Sequence, residues 1–268
     1  MPDPTGSFIW YELMTSDADA AARFYAAVLG WRITATPPEL SGGQDYRMLE
    51  RDDGGHAGGL MQLTPDMQAQ GARPAWVHYL QVADVDAATQ AIAADGGQVL
   101  MPKMTLPVGD MAMVADPMGA AFYVMRPVPP PGQPDAASDV FAVAQPQRVR
   151  WNELRSADVL RASAFYGRHF GFRCEDTMPM GPALGDYRFI DHGGLRVGGM
   201  MQRAAADAGT VGWMFYFGVT SITAARRAIE AGGGRVDAGP QQVPGGDWTM
   251  AATDPQGARF GVVGALGG

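Results

Sequence analysis

Phe8-Ile9-Trp10-Tyr11-Glu12-Leu13-Met14-Thr15 decides the fold, because its pattern returns as Val149-Arg150-Trp151-Asn152-Glu153-Leu154-Arg155-Ser156. Both stretches are rich in aromatic and branched residues and alternate in character, so each reads as a strand. Each then passes a polar start signal, Ser16-Asp17 or Ser156-Ala157-Asp158, into a helix that carries Phe-Tyr and closes on Gly. The helices run from Phe24-Tyr25 to Gly30 and from Phe165-Tyr166 to Gly171. A unit repeated on this scale means a duplicated domain, with chemistry expected on equivalent walls of the two copies.

Outward from the first strand and helix, Trp31–Thr34, Tyr46–Leu49 and Ala57–Leu63 read as three strands separated by Pro37-Pro38, Gly42-Gly43 and Asp52-Asp53-Gly54-Gly55 turns. The unit is βαβββ. A second follows at once: strand Trp76–Val82, helix Asp84–Ala94, then strands near Gln98–Leu100, Asp110–Ala115 and Ala120–Met125. The run Pro127-Val128-Pro129-Pro130-Pro131-Gly132-Gln133-Pro134 cannot supply a sheet ladder and favours extended geometry, which predicts a connector. The second half repeats the first along its length. Tyr187-Arg188 answers Tyr46-Arg47, Gly198-Gly199 answers Gly58-Gly59, Trp213-x-x-Tyr216 answers Trp76-x-x-Tyr79, and Asp254-Pro255-x-Gly257 answers Asp116-Pro117-x-Gly119. The expected organisation is therefore a domain over 1–126, a Pro-rich linker over 127–146 and a second domain over 147–268.

With 268 residues, 47% of them hydrophobic, the chain can bury two cores of ordinary size. It has no apolar run long enough to span a bilayer, and Met1-Pro2-Asp3-Pro4 lacks the features of a signal peptide, so a soluble cytoplasmic protein is expected, as monomer or homodimer. The net charge of -8 with no basic stripe argues against nucleic-acid and membrane partners and leaves a small-molecule ligand. Cys174 is the only cysteine, which excludes an intrachain disulfide and a thiolate metal cluster.

The βαβββ units, the Phe-Tyr…Leu-Gly-Trp helix end of the first unit and the Asp-Pro-x-Gly turn before the last strand resemble the vicinal oxygen chelate superfamily. That superfamily includes glyoxalase I, extradiol dioxygenases, fosfomycin-resistance transferases and bleomycin-binding proteins. The resemblance implies an α+β fold in which four βαβββ units pair into two similar domains, each an incompletely closed eight-stranded β cup with helices outside. It also locates the metal ligands of catalytic members, which fall here on Trp10 and Trp151 in the first strands, Val77 and Met214 in the fifth, and Tyr123 and Gly261 in the last. Indole, alkyl, thioether and hydrogen are unsuited to a hard or borderline divalent cation, and a lone tyrosine, Tyr123, would be an unusual ligand. No cofactor is expected, and a divalent metal only through ligands other than the inherited ones.

Strand alternation says what lines the cups instead. In the first cup Trp10, Glu12 and Met14 share a face with Tyr79, Gln81 and Tyr123; in the second Trp151, Glu153 and Arg155 share one with Tyr216, Gly218, Arg259 and Gly261. His78 falls on the opposite face, under the helices. Glu12 and Glu153, on walls shared with Trp and Tyr, are candidate bases or else satisfied buried acids. Ligand contacts are expected from Trp10, Tyr79, Gln81, Tyr123, Trp151, Arg155, Tyr216 and Arg259. The second cup, with two guanidinium groups gained and the Gln81 and Tyr123 side chains replaced by Gly218 and Gly261, is expected to be roomier and more cationic, unless Glu153 pairs with an arginine. Two functions follow: a metal-free module binding a small metabolite in aromatic-lined cups, or a glyoxalase-like lyase or related enzyme acting on a small carbonyl or aromatic substrate with Glu12 or Glu153 as base.

Overall fold

The computed structural model describes residues 5–129, 132–133, 136–204 and 212–267. Four βαβββ modules follow one another. Module A comprises β1 (Phe8–Thr15), α1 (Ala18–Leu29), β2 (Arg32–Ala35), β3 (Tyr46–Glu50) and β4 (His56–Gln62), with α2 (Pro38–Ser41) between β2 and β3. After α3 (Pro65–Ala69), module B has β5 (Ala75–Gln81), α4 (Val85–Ala94), β6 (Gln98–Leu106), β7 (Gly109–Ala115) and β8 (Ala121–Pro127). Module C has β9 (Val149–Ser156), α5 (Val159–Phe170), β10 (Thr177–Pro179), β11 (Asp186–His192) and β12 (Leu195–Gln202). Module D has β13 (Gly212–Val219), α6 (Ile222–Ala231), β14 (Arg235–Gln242), β15 (Trp248–Thr253) and β16 (Arg259–Gly264).

The strands form two eight-stranded mixed sheets, ordered β2-β3-β4-β1-β5-β8-β7-β6 and β10-β11-β12-β9-β13-β16-β15-β14, neither closed into a barrel. Within each module the first and last strands run parallel, as in β1 with β4 and β9 with β12, and the remaining pairs are antiparallel hairpins. The helix between the first two strands makes the crossover that parallel pairing requires. Each of the four main helices begins on a capping side chain: Asp17, Asp84, Asp158 and Ser221 accept the N–H three residues on. The turn expected at Pro37-Pro38 begins the single turn of α2, with Pro38 at a position where its missing N–H costs nothing.

The chain also divides into two compact units, each taking most of one module from either half. The AD unit comprises Trp10–Val77, Asp139–Arg150 and Met214–Gly268, and the BC unit comprises Met1–Ile9, His78–Ser138 and Trp151–Trp213. The same polar relay sits in the core of each. In the AD unit the Trp76 indole N–H donates to the Tyr25 hydroxyl at 2.9 Å, and Tyr25 donates to Asp254 Oδ2 at 3.0 Å. In the BC unit Trp213 donates to Tyr166 at 3.0 Å, and Tyr166 donates to Asp116 Oδ2 at 3.2 Å. The other carboxylate oxygen of each Asp accepts two backbone N–H groups of its own turn, Met118 and Ala120 or Gln256 and Ala258. The Phe-Tyr, Trp-x-x-Tyr and Asp-Pro-x-Gly motifs thus meet in three dimensions, and their polar atoms are satisfied where burial would otherwise penalise them. Burial pushes the Asp116 and Asp254 carboxyls above their ordinary range and the two tyrosines well above theirs.

Of the Pro-rich segment, Pro130, Pro131 and Pro134 lie outside the described residues. Asp139–Arg150 belongs to the AD unit. Nearly inaccessible Arg51 pairs with Asp53 at 3.0 Å and hydrogen-bonds Asp139, and Arg148 reaches both acids at 2.9 Å. The Gly55 N–H and Arg51 hold the Asp53 carboxyl down at about 2. Gln147 accepts from the Asp52 N–H at 2.9 Å through its side chain and from the Trp31 indole at 3.0 Å through its carbonyl.

Candidate functional site

The face of module A turned away from its helix carries Trp10, Glu12 and Met14 on β1, and the Trp10 indole donates to the Tyr46 hydroxyl at 2.8 Å. This contact spans two strand spacings, because β4 lies between β3 and β1. Gly59 makes the span possible. It pairs with Glu12 across the β1–β4 ladder, and a Cβ there would collide with the Tyr46 phenol, so the ring lies across the glycine to reach β1. Glu12 is buried beneath, at 3% exposure.

Module C repeats the device. Trp151 donates to the Tyr187 hydroxyl at 2.7 Å, the ring lies over Gly199, and Gly199 pairs with Glu153. Here the chain of contacts runs further: Tyr187 donates to Glu153 Oε2 at 3.3 Å, and Glu153 Oε1 accepts from Arg155 Nε at 3.2 Å. Glu153 is buried, while the Arg155 side chain is 24% exposed. Of the two fates expected for Arg155, the internal ion pair with Glu153 is present. Both tyrosines are members of repeats already visible in the sequence; Met48 and Phe189 stand opposite Gly59 and Gly199, and Tyr46 and Tyr187, two residues before them, share their face of the strand.

In module B, Tyr79 and Tyr123 stand in register on β5 and β8, with rings stacked at 4.3 Å and 10°. Gln81, at the end of β5, is anchored by its backbone to Gly6 and Ser7. In module D, Tyr216 and Gly261 occupy the equivalent register, and the Tyr216 ring fills the place where a Cβ of Gly261 would stand. Gly218 is similarly covered by the Arg150 stem and the Gln145 carbonyl. The room expected from these two glycines is therefore already taken up. Arg259, two residues before Gly261 on β16, is half-buried.

The residues at the family's ligand positions do not fit a divalent cation. Trp10 and Trp151 commit their only polar atom, an N–H donor, to tyrosines; Val77 and Met214 are buried apolar groups; the Tyr123 ring is stacked and Gly261 has no side chain. Among the described residues no three of His, Cys, Asp and Glu converge as a metal ion requires. His78 is fully buried in the BC unit among Phe8, Phe122 and Trp213, with ring centroids at 4.9–5.6 Å. Burial lowers its pKa to about 3, so it is a neutral core ring. No helix of the described residues is long and apolar enough to cross a membrane.

A repeated βαβββ module, two open eight-stranded sheets and inner faces built on the first strand of each half define the class: the chain belongs to the Glyoxalase/Bleomycin resistance protein/Dioxygenase superfamily, whose model matches residues 7–124 and again 148–262. Among its relatives, CFP32 of Mycobacterium tuberculosis, which carries the provisional name of a glyoxylase, is 31% identical over 255 residues, covering 95% of this chain and 93% of that protein. The anthracycline biosynthesis protein DauV of Streptomyces sp. strain C5 is 31% identical over 274 residues, covering 96% and 93%. In fold, the Mn(II)-bound glyoxalase of Novosphingobium aromaticivorans superposes with a TM-score of 0.63 at 17% identity, over 98% of this chain and 83% of that one. The 2,3-dioxygenase LapB of Pseudomonas sp. KL28 superposes at 0.62 with 15% identity, over 98% and 94%.

Proposed function

We propose that the protein binds a small, planar organic metabolite on the inner faces of modules A and C, without the superfamily's usual metal ligands. The observation that carries this reading is the pair of matched devices, Trp10–Tyr46 over Glu12 and Trp151–Tyr187 over Glu153, built where metal-dependent relatives place their first ligand. Each offers a half-buried indole face and a hydrogen-bonding edge, the combination that orients a flat ligand. The relatives' names, a glyoxylase and an anthracycline biosynthesis protein, are in keeping with a small organic partner.

A second reading is favoured by one contact. Tyr187 donates to Glu153, which puts a carboxylate base and a phenolic proton donor side by side. A lyase or isomerase acting on a small carbonyl or aromatic compound would use such a pair for proton transfer. Equilibrium binding of a panel of planar aromatic metabolites, with chelator present throughout, tests the first reading. Trp10→Ala and Trp151→Ala should each weaken binding at its own face by roughly tenfold or more. Binding that requires added metal, or that neither substitution weakens, would contradict it. Turnover abolished by Glu153→Gln but not by chelator would establish the second.

A further inference from the structure

We infer that the inner face of module D carries a separate site, which takes the carboxylate of a small organic ligand through Arg259. The inference does not depend on the binding role proposed above for modules A and C. Tyr216 and Gly261 pair in register across β13 and β16, and strand alternation puts Arg259, two residues before Gly261, on their face. The intervening Phe215, Phe217 and Phe260 are fully buried on the opposite face. Across the sheet Arg259 stands opposite Thr253, and Thr253 opposite Arg235, so one row of the inner face reads Arg-Thr-Arg. Module B builds the same row from Ala121, Ala115 and Gln98. A duplicate of the same topology thus completes the row without any charge, so the fold itself does not call for Arg259.

The acid beside this row is already engaged: Asp237 accepts from Arg235 Nε at 2.8 Å and from the Thr253 hydroxyl at 2.6 Å. Among the described residues Arg259 makes no hydrogen bond or ion pair, whereas Arg47, Arg148, Arg150 and Arg196, half-buried like it, each meet an acid. A guanidinium partly withdrawn from water and unmatched by a carboxylate is costly, and an incoming anion offsets that cost. Its planar fork of N–H donors fits a carboxylate bidentately. A phosphate dianion would call on a second guanidinium, and Arg235 is held by Asp237. The Tyr216 ring, lying over Gly261 on the same face, offers the body of the ligand an aromatic surface next to the fork.

The probes are benzoate and its neutral isostere benzamide, titrated by calorimetry into the full-length protein. Benzoate should bind more tightly than benzamide by roughly tenfold, the scale of one charge-assisted hydrogen-bonded contact. Arg259→Met keeps the apolar stem and should erase that preference without lowering the melting temperature, because no internal partner is lost. Arg259→Lys should retain part of the preference. The double variant Trp10→Ala/Trp151→Ala removes the indoles of modules A and C and should leave the preference in place, so that failure here and failure of the reading above are told apart. A preference absent from the parent, unchanged in Arg259→Met or abolished by the tryptophan pair overturns the inference. A melting temperature lowered by Arg259→Met overturns it too, since it would reveal that the guanidinium is held by the fold itself.

Discussion

Modules A and C present the same indole, phenol and carboxylate on their inner faces, yet one backs them with Met14 and the other with Arg155. The cores beneath the helices show no such divergence. Trp76–Tyr25–Asp254 and Trp213–Tyr166–Asp116 match residue for residue and nearly distance for distance. The duplicated modules keep the core relay and the Trp–Tyr–Glu device alike and differ in the residue beside that device, Met14 or Arg155.

The largest effects should come from the matched cores. Trp76→Ala and Trp213→Ala each remove a buried indole and should cost about 3–5 kcal/mol in denaturant unfolding. Costs differing by more than about 2 kcal/mol would break the equivalence of the two relays. Tyr25→Phe and Tyr166→Phe strand an indole N–H and a carboxylate oxygen in the core and should each cost about 1–3 kcal/mol. Gly59→Ala and Gly199→Ala should cost a similar ~1–3 kcal/mol by displacing the overlying tyrosine. They should also weaken ligand binding at their own face only, which a core substitution of equal destabilisation should not do.

The smallest effect is a slope against pH. Burial raises the Asp116 and Asp254 carboxyls in the folded state. Their stabilising contribution is thus fully present below the unfolded-state pKa near ~4 and is lost as pH rises through the higher folded value. Melting temperatures of Asp116→Asn/Asp254→Asn measured from pH 4 to 7 should therefore rise relative to the parent as pH increases. A difference that stays flat or falls over that interval would mean that neither carboxyl is raised in the folded state.

Much of this was legible in the chain itself. The βαβββ order followed from period-two and helical stretches punctuated by Gly and Pro, and the duplication from motifs recurring in sequence. Parity alone separated His78 from Trp10 and Glu12. What could not be read was which modules share a core, because a repeat reports that Tyr25 and Tyr166 are equivalent, not that one meets Asp254 and the other Asp116. The reach of Tyr46 and Tyr187 across a glycine was missed because it depends on strand order as well as alternation. The room expected at Gly261 was misjudged for a related reason: a missing side chain invites a neighbour, here Tyr216, to lean into the space.

On the reading proposed here, the inner faces work through Trp, Tyr and Glu at the places where the superfamily's metal-dependent members hold a cation. Elemental analysis of the purified protein, paired with melting curves with and without chelator, tests it most directly. Well under one equivalent of transition metal per chain and an unchanged melting temperature in chelator are expected. One ion per inner face, lost to chelator together with stability, would contradict it.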